Sequence, residues 1–177
     1  MANVDQANGF RPVQQGNSSP KIKRYLAGTT TSIFRGDVVA LATNGRVHRI
    51  ATTTGSARII GVAANYVNAT SAPGSTTAQE VWVYDDPNQE FVGQDDGAGI
   101  TPARTAIGQT FALIIGAGNS TTGQSIFEVD ASASGTTSTD AVIVTGVLEG
   151  GAYEIGKYMK TIVKLNRHLY KVGSAGI

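Results

Sequence analysis

The chain has 177 residues, a formal net charge of +1 and no cysteine, with 41% of residues hydrophobic and 15% charged. So small a net charge gives no electrostatic reason to expect nucleic acid or an acidic membrane as partner, and without thiols there is neither a disulfide framework nor a thiolate metal site. With 22 glycines, abundant Ser and Thr, and few of the helix builders Leu, Glu and Lys, the composition favours strands joined by many turns.

The length suits one domain with a real core. No run approaches the ~18 apolar residues of a membrane helix, and the first residues lack the basic and apolar regions of a signal peptide. The expectation is a soluble protein made without secretion, so the sequons at Asn17, Asn68 and Asn119 carry little weight.

Residues 1–20 are polar and aperiodic, and read as a flexible N-terminal arm; 21–177 read as one β-domain. Within the arm, Gly9-Phe10-Arg11-Pro12-Val13 is the one cluster with binding potential, a Phe-Arg anchor in a flexible segment. An arm of ~20 residues could reach up to ~65 Å. Phe10 folding back onto its own domain is the alternative.

Lys21 to Leu26 reads as a short edge strand guarded by lysines. Ile33 to Ile50 is the organising stretch: two apolar runs, Val38 to Leu41 and Val47 to Ile50, flank Asn44-Gly45, the signal for a type I′ hairpin. Gly36-Asp37 before it reads as a turn or bulge. Ile59-Ile60-Gly61-Val62 resembles Ile143-Val144-Thr145-Gly146-Val147, a β-branched run broken by glycine, where glycine marks a bend or close backbone approach.

Arg58 to Val67 is a further strand, followed by a small polar loop over Asn68 to Ala78. Glu80 to Asp85 is the clearest period-two segment, with Val81 and Val83 on one face and Trp82 and Tyr84 on the other. Both faces are apolar, which places it centrally or under an interface. Pro87 ends it and Glu90-Phe91-Val92 begins the next strand. Thr101 as N-cap with Pro102 opens a helical turn to Ala106. Strands recur at Phe111 to Ile115, Ser125 to Asp130, Ala141 to Leu148, Tyr158 to Leu165 and His168 to Val172. The fold class is all-β, a single β-barrel or β-sandwich-like domain with an extended N-terminal arm.

Catalytic signatures are sparse. His48 and His168 lack a second histidine at metal spacing and read as surface or rim residues. Gly123-Gln124-Ser125-Ile126-Phe127 lacks the last glycine of a nucleophile elbow, and there is no P-loop. Asp85, Asp86, Glu90, Asp95 and Asp96 form the densest polar cluster, with glycosidase-type acid–base work or calcium binding as the sharp reading. Asp85-Asp86-Pro87-Asn88 fits a turn better. Trp82 and Tyr84 could form a sugar platform or an interface patch. No enzyme activity, cofactor or metal is expected.

The opening Met1-Ala2-Asn3-Val4-Asp5 with Gly9 to Val13, the run Trp82 to Phe91, and the closing Val163 to His168 resemble small head proteins of tailed bacteriophages, taken to be capsid decoration or cement proteins. The resemblance spans nearly the whole chain and implies an all-β domain bound in many copies to the exterior of an icosahedral shell. It implies the major capsid protein as partner and a homotrimer as the usual state, with synthesis in the bacterial cytoplasm. Nucleic acid and membrane are not expected as partners. Candidate capsid- or subunit-binding residues are Phe10, Arg11, Pro12, Trp82 and Tyr84. A carbohydrate-binding or adhesive β-domain of a phage particle is the alternative.

Overall fold

The computed structural model describes residues 3–14, 16, 19–28, 31–51, 58–68, 79–98, 103–150 and 154–171. The predicted loop at 69–78, the cap at Thr101-Pro102, the sequon at Asn17 and the strand end at Val172 lie outside the described residues. In chain order the strands are β1 (Arg11–Pro12), β2 (Lys23–Leu26), β3 (Val38–Leu41), β4 (Val47–Arg49), β5 (Ile59–Ala63), β6 (Glu80–Tyr84), β7 (Glu90–Gln94), β8 (Thr110–Ile114), β9 (Glu128–Gly135), β10 (Val142–Val147) and β11 (Lys160–Leu165). A short 3-10 turn, Ala103–Ala106, precedes β8. The strands form two antiparallel sheets, a six-stranded one ordered β1-β7-β11-β10-β8-β9 and a five-stranded one ordered β2-β6-β5-β3-β4.

The seed hairpin is present, but its turn is not type I′. Gly45 is left-handed at φ 75° and Asn44 is not. Ala42 N–H bonds Arg46 O at 2.8 Å while Gly45 N–H bonds Ala42 O at 3.0 Å. This is the longer loop in which one left-handed glycine follows the turn and forms a bulge. Both glycine-broken runs are also bulged, as their composition anticipated. Between β3 and β5 the partners step from Val39–Gly61 to Ala40–Ile59, leaving Ile60 as the extra residue. The insertion turns Ile59 and Val62, three apart, onto one face and Ile60 onto the other. Between β10 and β11 the extra residue is Thr145.

The central strands of the five-stranded sheet, β3 and β5, are therefore buried on both sides. Val38, Ala40, Ile59 and Val62 face the six-stranded sheet and meet Phe91, Phe111, Leu113, Val144 and Val163 in the main core. Val39, Val47, Ile60, Ala63, Val81 and Val83 form a second core on the concave side of the same sheet. Each such Val, Ile, Leu or Phe side chain contributes roughly 1.5–3 kcal/mol by burial. The sheet curls until Ala27, just after edge strand β2, and Val47, the first residue of edge strand β4, meet at a single parallel bridge. The sheets are not closed into a barrel, and the architecture is sandwich-like. The barrel expectation is corrected because one bridge joins the edges where a barrel needs a continuous ladder.

The expected free arm is fastened down over its described residues. Asn3 Nδ2 donates to Glu154 O at 2.7 Å and Lys157 O at 3.1 Å, and Glu154 N–H returns a bond to Asn3 Oδ1. Arg11 and Pro12 pair with Val92 and Phe91 of β7. Phe10, predicted as an anchor for a partner, is a core residue with 1% exposure. Its ring lies over Gly93, where an added Cβ would stand 2.4 Å from Phe10 Cε1. A large apolar ring next to such a slot gains more from its own core than from water.

Candidate functional site

β6 carries the aromatic pair because of its alternation. Val81 and Val83 enter the concave core, which turns Trp82 and Tyr84 to the opposite face. Tyr84 is half-buried and meets Phe91 edge-on at 6.4 Å between ring centroids. Trp82, two residues back along the same strand face, is 47% exposed. Its register partner is Arg24, and Leu26 lies opposite Glu80, so Arg24, Leu26, Glu80 and Trp82 share this open face. Leu26 is 44% exposed. The Arg24–Glu80 contact at 3.4 Å is exposed and worth little by itself.

Beyond Tyr84 this face runs into a groove of about 410 Å³ lined by Asn8, Arg11, Pro12, Arg35, Tyr84 and Gln124 with Phe10 at its base. Of the predicted site residues, Phe10, Arg11, Pro12 and Tyr84 thus come together, and Trp82 stands two residues along the same strand face. The walls are held by backbone. Phe10 N–H bonds Gly36 O at 2.9 Å, Arg35 N–H bonds Gly123 O and Ser125 N–H bonds Arg35 O, each at 3.0 Å. Gly9, left-handed at φ 64°, lets the segment press onto Gly36; a Cβ there would lie 2.7 Å from Gly36 O. Arg11 donates to Gln124 Oε1 at 3.3 Å.

The carboxylate cluster does not converge. Asp86 Oδ1 accepts from Asn88 N–H and Asp86 O from Gln89 N–H, closing the anticipated turn. Asp85 accepts the Tyr25 hydroxyl at 2.8 Å. Burial and this carboxylate push the Tyr25 hydroxyl well above its ordinary range. Asp95, at the far end of β7, accepts the N–H groups of Gly97, Tyr158 and Met159. A strand of five residues separates the two ends by about 17 Å. A retaining or inverting glycosidase pair stands within about 10 Å. Among the described residues no group of three or more His, Asp or Glu could hold a metal ion.

His168, expected at the surface, is 2% exposed and burial holds its pKa below the usual value. Its Nδ1 accepts Tyr170 N–H at 3.2 Å. The segment around it meets Ile59 at one isolated parallel bridge, so the strand expected from His168 does not form among the described residues. His48 is half-buried on β4.

A second polar cluster lies under the N-terminal segment. Lys160 Nζ donates to Gln94 Oε1 and, at 3.4 Å, to Gln6 O, while Gln94 Nε2 donates to Val4 O. Glu128 sits in this cluster with Oε1 buried and unpartnered among the described residues. Burial, with Asp5 and Asp96 adding repulsion against the pull of Lys160, raises its pKa from 4.5 to about 7. The folded state therefore holds this proton more tightly than the unfolded chain, so the stability it contributes is full below 4.5 and is lost as pH rises through about 7. Glu128→Gln is expected to leave stability little changed near pH 4.5 and to raise it over the parent above pH 7, read as melting temperature across that range. A parent–variant difference independent of pH would contradict this.

Sequence reading missed Arg35 and Gln124, which lie outside the named strands and meet at a lone parallel bridge. The only local signal was the Gly36-Asp37 turn that sets Arg35 at the rim. No family model matches the chain, and neither a curated protein nor a solved structure matches it.

Proposed function

We propose that this protein is a structural component of a phage virion, a decoration protein that binds the exterior of an icosahedral shell in many copies, as a homotrimer, and stabilises it. The observation that carries the reading is the open face of β2 and β6. Trp82 on β6, 47% exposed, and Leu26 on the neighbouring β2, 44% exposed, stand beside Arg24, and β6 is anchored in the fold's second core through Val81 and Val83. Aromatic and arginine side chains fixed on a rigid element are what a protein–protein contact is built from. The resemblance of the Trp82 to Phe91 run to phage head proteins supports the same reading.

The working surface is Trp82 and Tyr84 with Arg11 and Pro12 at the adjoining groove. Phe10 supports it from within as the residue that holds the N-terminal segment in place. A symmetric oligomer spanning a junction between shell subunits binds several at once, so modest contacts add through effective concentration. The shell gains stability because the bound protein favours the assembled state. The polar chemistry visible in the fold fits binding better than turnover, since Asp86 and Asp95 are occupied by backbone N–H groups. The exposure of Trp82 also favours a second reading, glycan binding by a virion adhesin. Copy number per purified particle separates the two: a shell-wide cement is abundant and an adhesin scarce.

A further inference from the structure

We propose that the groove between the N-terminal segment and the Arg35–Gly36 turn is a carboxylate-binding site that takes acidic side chains from an extended segment of a partner protein. The inference deepens the decoration reading, on which it rests for placing that segment in the shell subunit. Arg11 and Arg35 both line the groove, and among the described residues no carboxylate does. Neither guanidinium is ion-paired with a carboxylate of the described residues. A guanidinium offers five N–H donors in a planar fork, and Arg11 spends one on Gln124 Oε1. Gln124, whose Oε1 takes that bond, and Tyr84 also line the groove and carry further N–H and O–H groups. The site is thus rich in donors and poor in acceptors, the reverse of what a cation or a neutral polar chain requires.

The volume of about 410 Å³ is more than ten times the ~30 Å³ share of a water molecule. A bare inorganic anion would leave most of it wet. An extended peptide is the better occupant. β1 lies along one wall at the outer edge of its sheet, yet its second residue, Pro12, has no N–H to offer a new strand. Recognition therefore falls to the side chains rather than to strand addition. The groove is preorganised by the backbone bonds at Phe10, Arg35 and Ser125, which limits the ordering cost of binding.

The test is a titration of the full chain with a blocked oligo-glutamate peptide, its oligo-glutamine counterpart and inorganic phosphate, followed by amide chemical shifts. The expected result is saturable binding of the glutamate peptide that shifts Arg35, Gly36 and Gln124, with no binding of the glutamine peptide and weaker binding of phosphate. Arg35→Met is expected to weaken the glutamate peptide about tenfold or more, since the exposed Arg35 side chain carries a charge-assisted contact and no core packing. Glutamate binding that survives Arg35→Met unchanged would overturn the site, as would phosphate binding equal to the peptide's. In parallel, Arg35→Met protein is mixed with assembled shells. Loss of shell binding together with peptide binding supports the assignment. Full shell binding with peptide binding lost overturns the groove as the shell contact and leaves the decoration reading intact.

Discussion

Replacing Phe10 by alanine is expected to destabilise the fold by about 3–5 kcal/mol, the range for truncating a buried phenylalanine. The ring is 1% exposed and lies against the Gly93 slot in the main core. Its removal leaves a cavity walled partly by glycine backbone, which has no side chain to lean in. The effect extends along the segment. The bonds of Asn3 are exposed and those of Gln6 and Val4 with Gln94 only part-buried, and each contributes only about 0.5–1.5 kcal/mol. With the ring gone, residues 3–9 are expected to lose protection in amide exchange before the rest of the domain. Urea unfolding gives the magnitude. A loss below about 0.5 kcal/mol, the scale of a surface substitution, would place Phe10 outside the core and restore the free-arm reading.

Arg49→Met is the second large effect, expected at about 3–5 kcal/mol because it leaves a buried charge without its partner. Asp37 is 0% exposed, and burial raises its pKa against the opposing pull of Ser125, the Phe34 N–H and Arg49. Arg49 Nε stands 2.9 Å from Asp37 Oδ2. The guanidinium also lies 4.5 Å from the Phe127 ring centroid and 5.6 Å from that of Phe34, and donates to Gly116 O. Asp37 Oδ2 accepts the Phe34 N–H at 2.8 Å, so this pair holds the turn that carries Arg35 to the groove. In Arg49→Met the carboxyl is expected to take up a proton more readily, so the deficit against the parent shrinks as pH falls. Adding Asp37→Asn is expected to recover part of the loss. A deficit that is equal at acid and neutral pH and is not relieved by Asp37→Asn would contradict the stranded-charge account.

Local patterns in the sequence carried much of the fold. The alternation in β6 assigns Val81 and Val83 to one face and Trp82 and Tyr84 to the other, because side-chain direction in a strand is a matter of parity. The edge position of β2 follows from Lys21 just before it and Lys23 within it, and the glycine-broken runs mark both bulges. What was not legible depends on distant partners. Phe10 sits among polar residues, and only the folded chain brings Gly93 beneath it. Whether the strands close into a barrel depends on how far the five-stranded sheet curls, which ends at the single Ala27–Val47 bridge. His168 has no periodic neighbours, and the contact with Ile59 that buries it spans most of the chain. Arg35 escaped notice because a rim residue outside any strand has no pattern to betray it.

The candidate surface was legible in part. Trp82 and Tyr84 were found through parity, and Arg11 and Pro12 through composition, but the groove that joins Arg11, Pro12 and Tyr84 is a product of topology. It forms only where the N-terminal segment on β7 crosses the turn before β3.

The central claim is occupancy of a repeated site on a shell. Quantitative mass spectrometry of purified particles, scaled to the major shell protein, measures it directly. A ratio near one to one is the predicted result, because only a lattice-wide site accommodates so many copies. A few copies per particle would contradict the cement reading and favour an adhesin using Trp82, and absence from particles would contradict both.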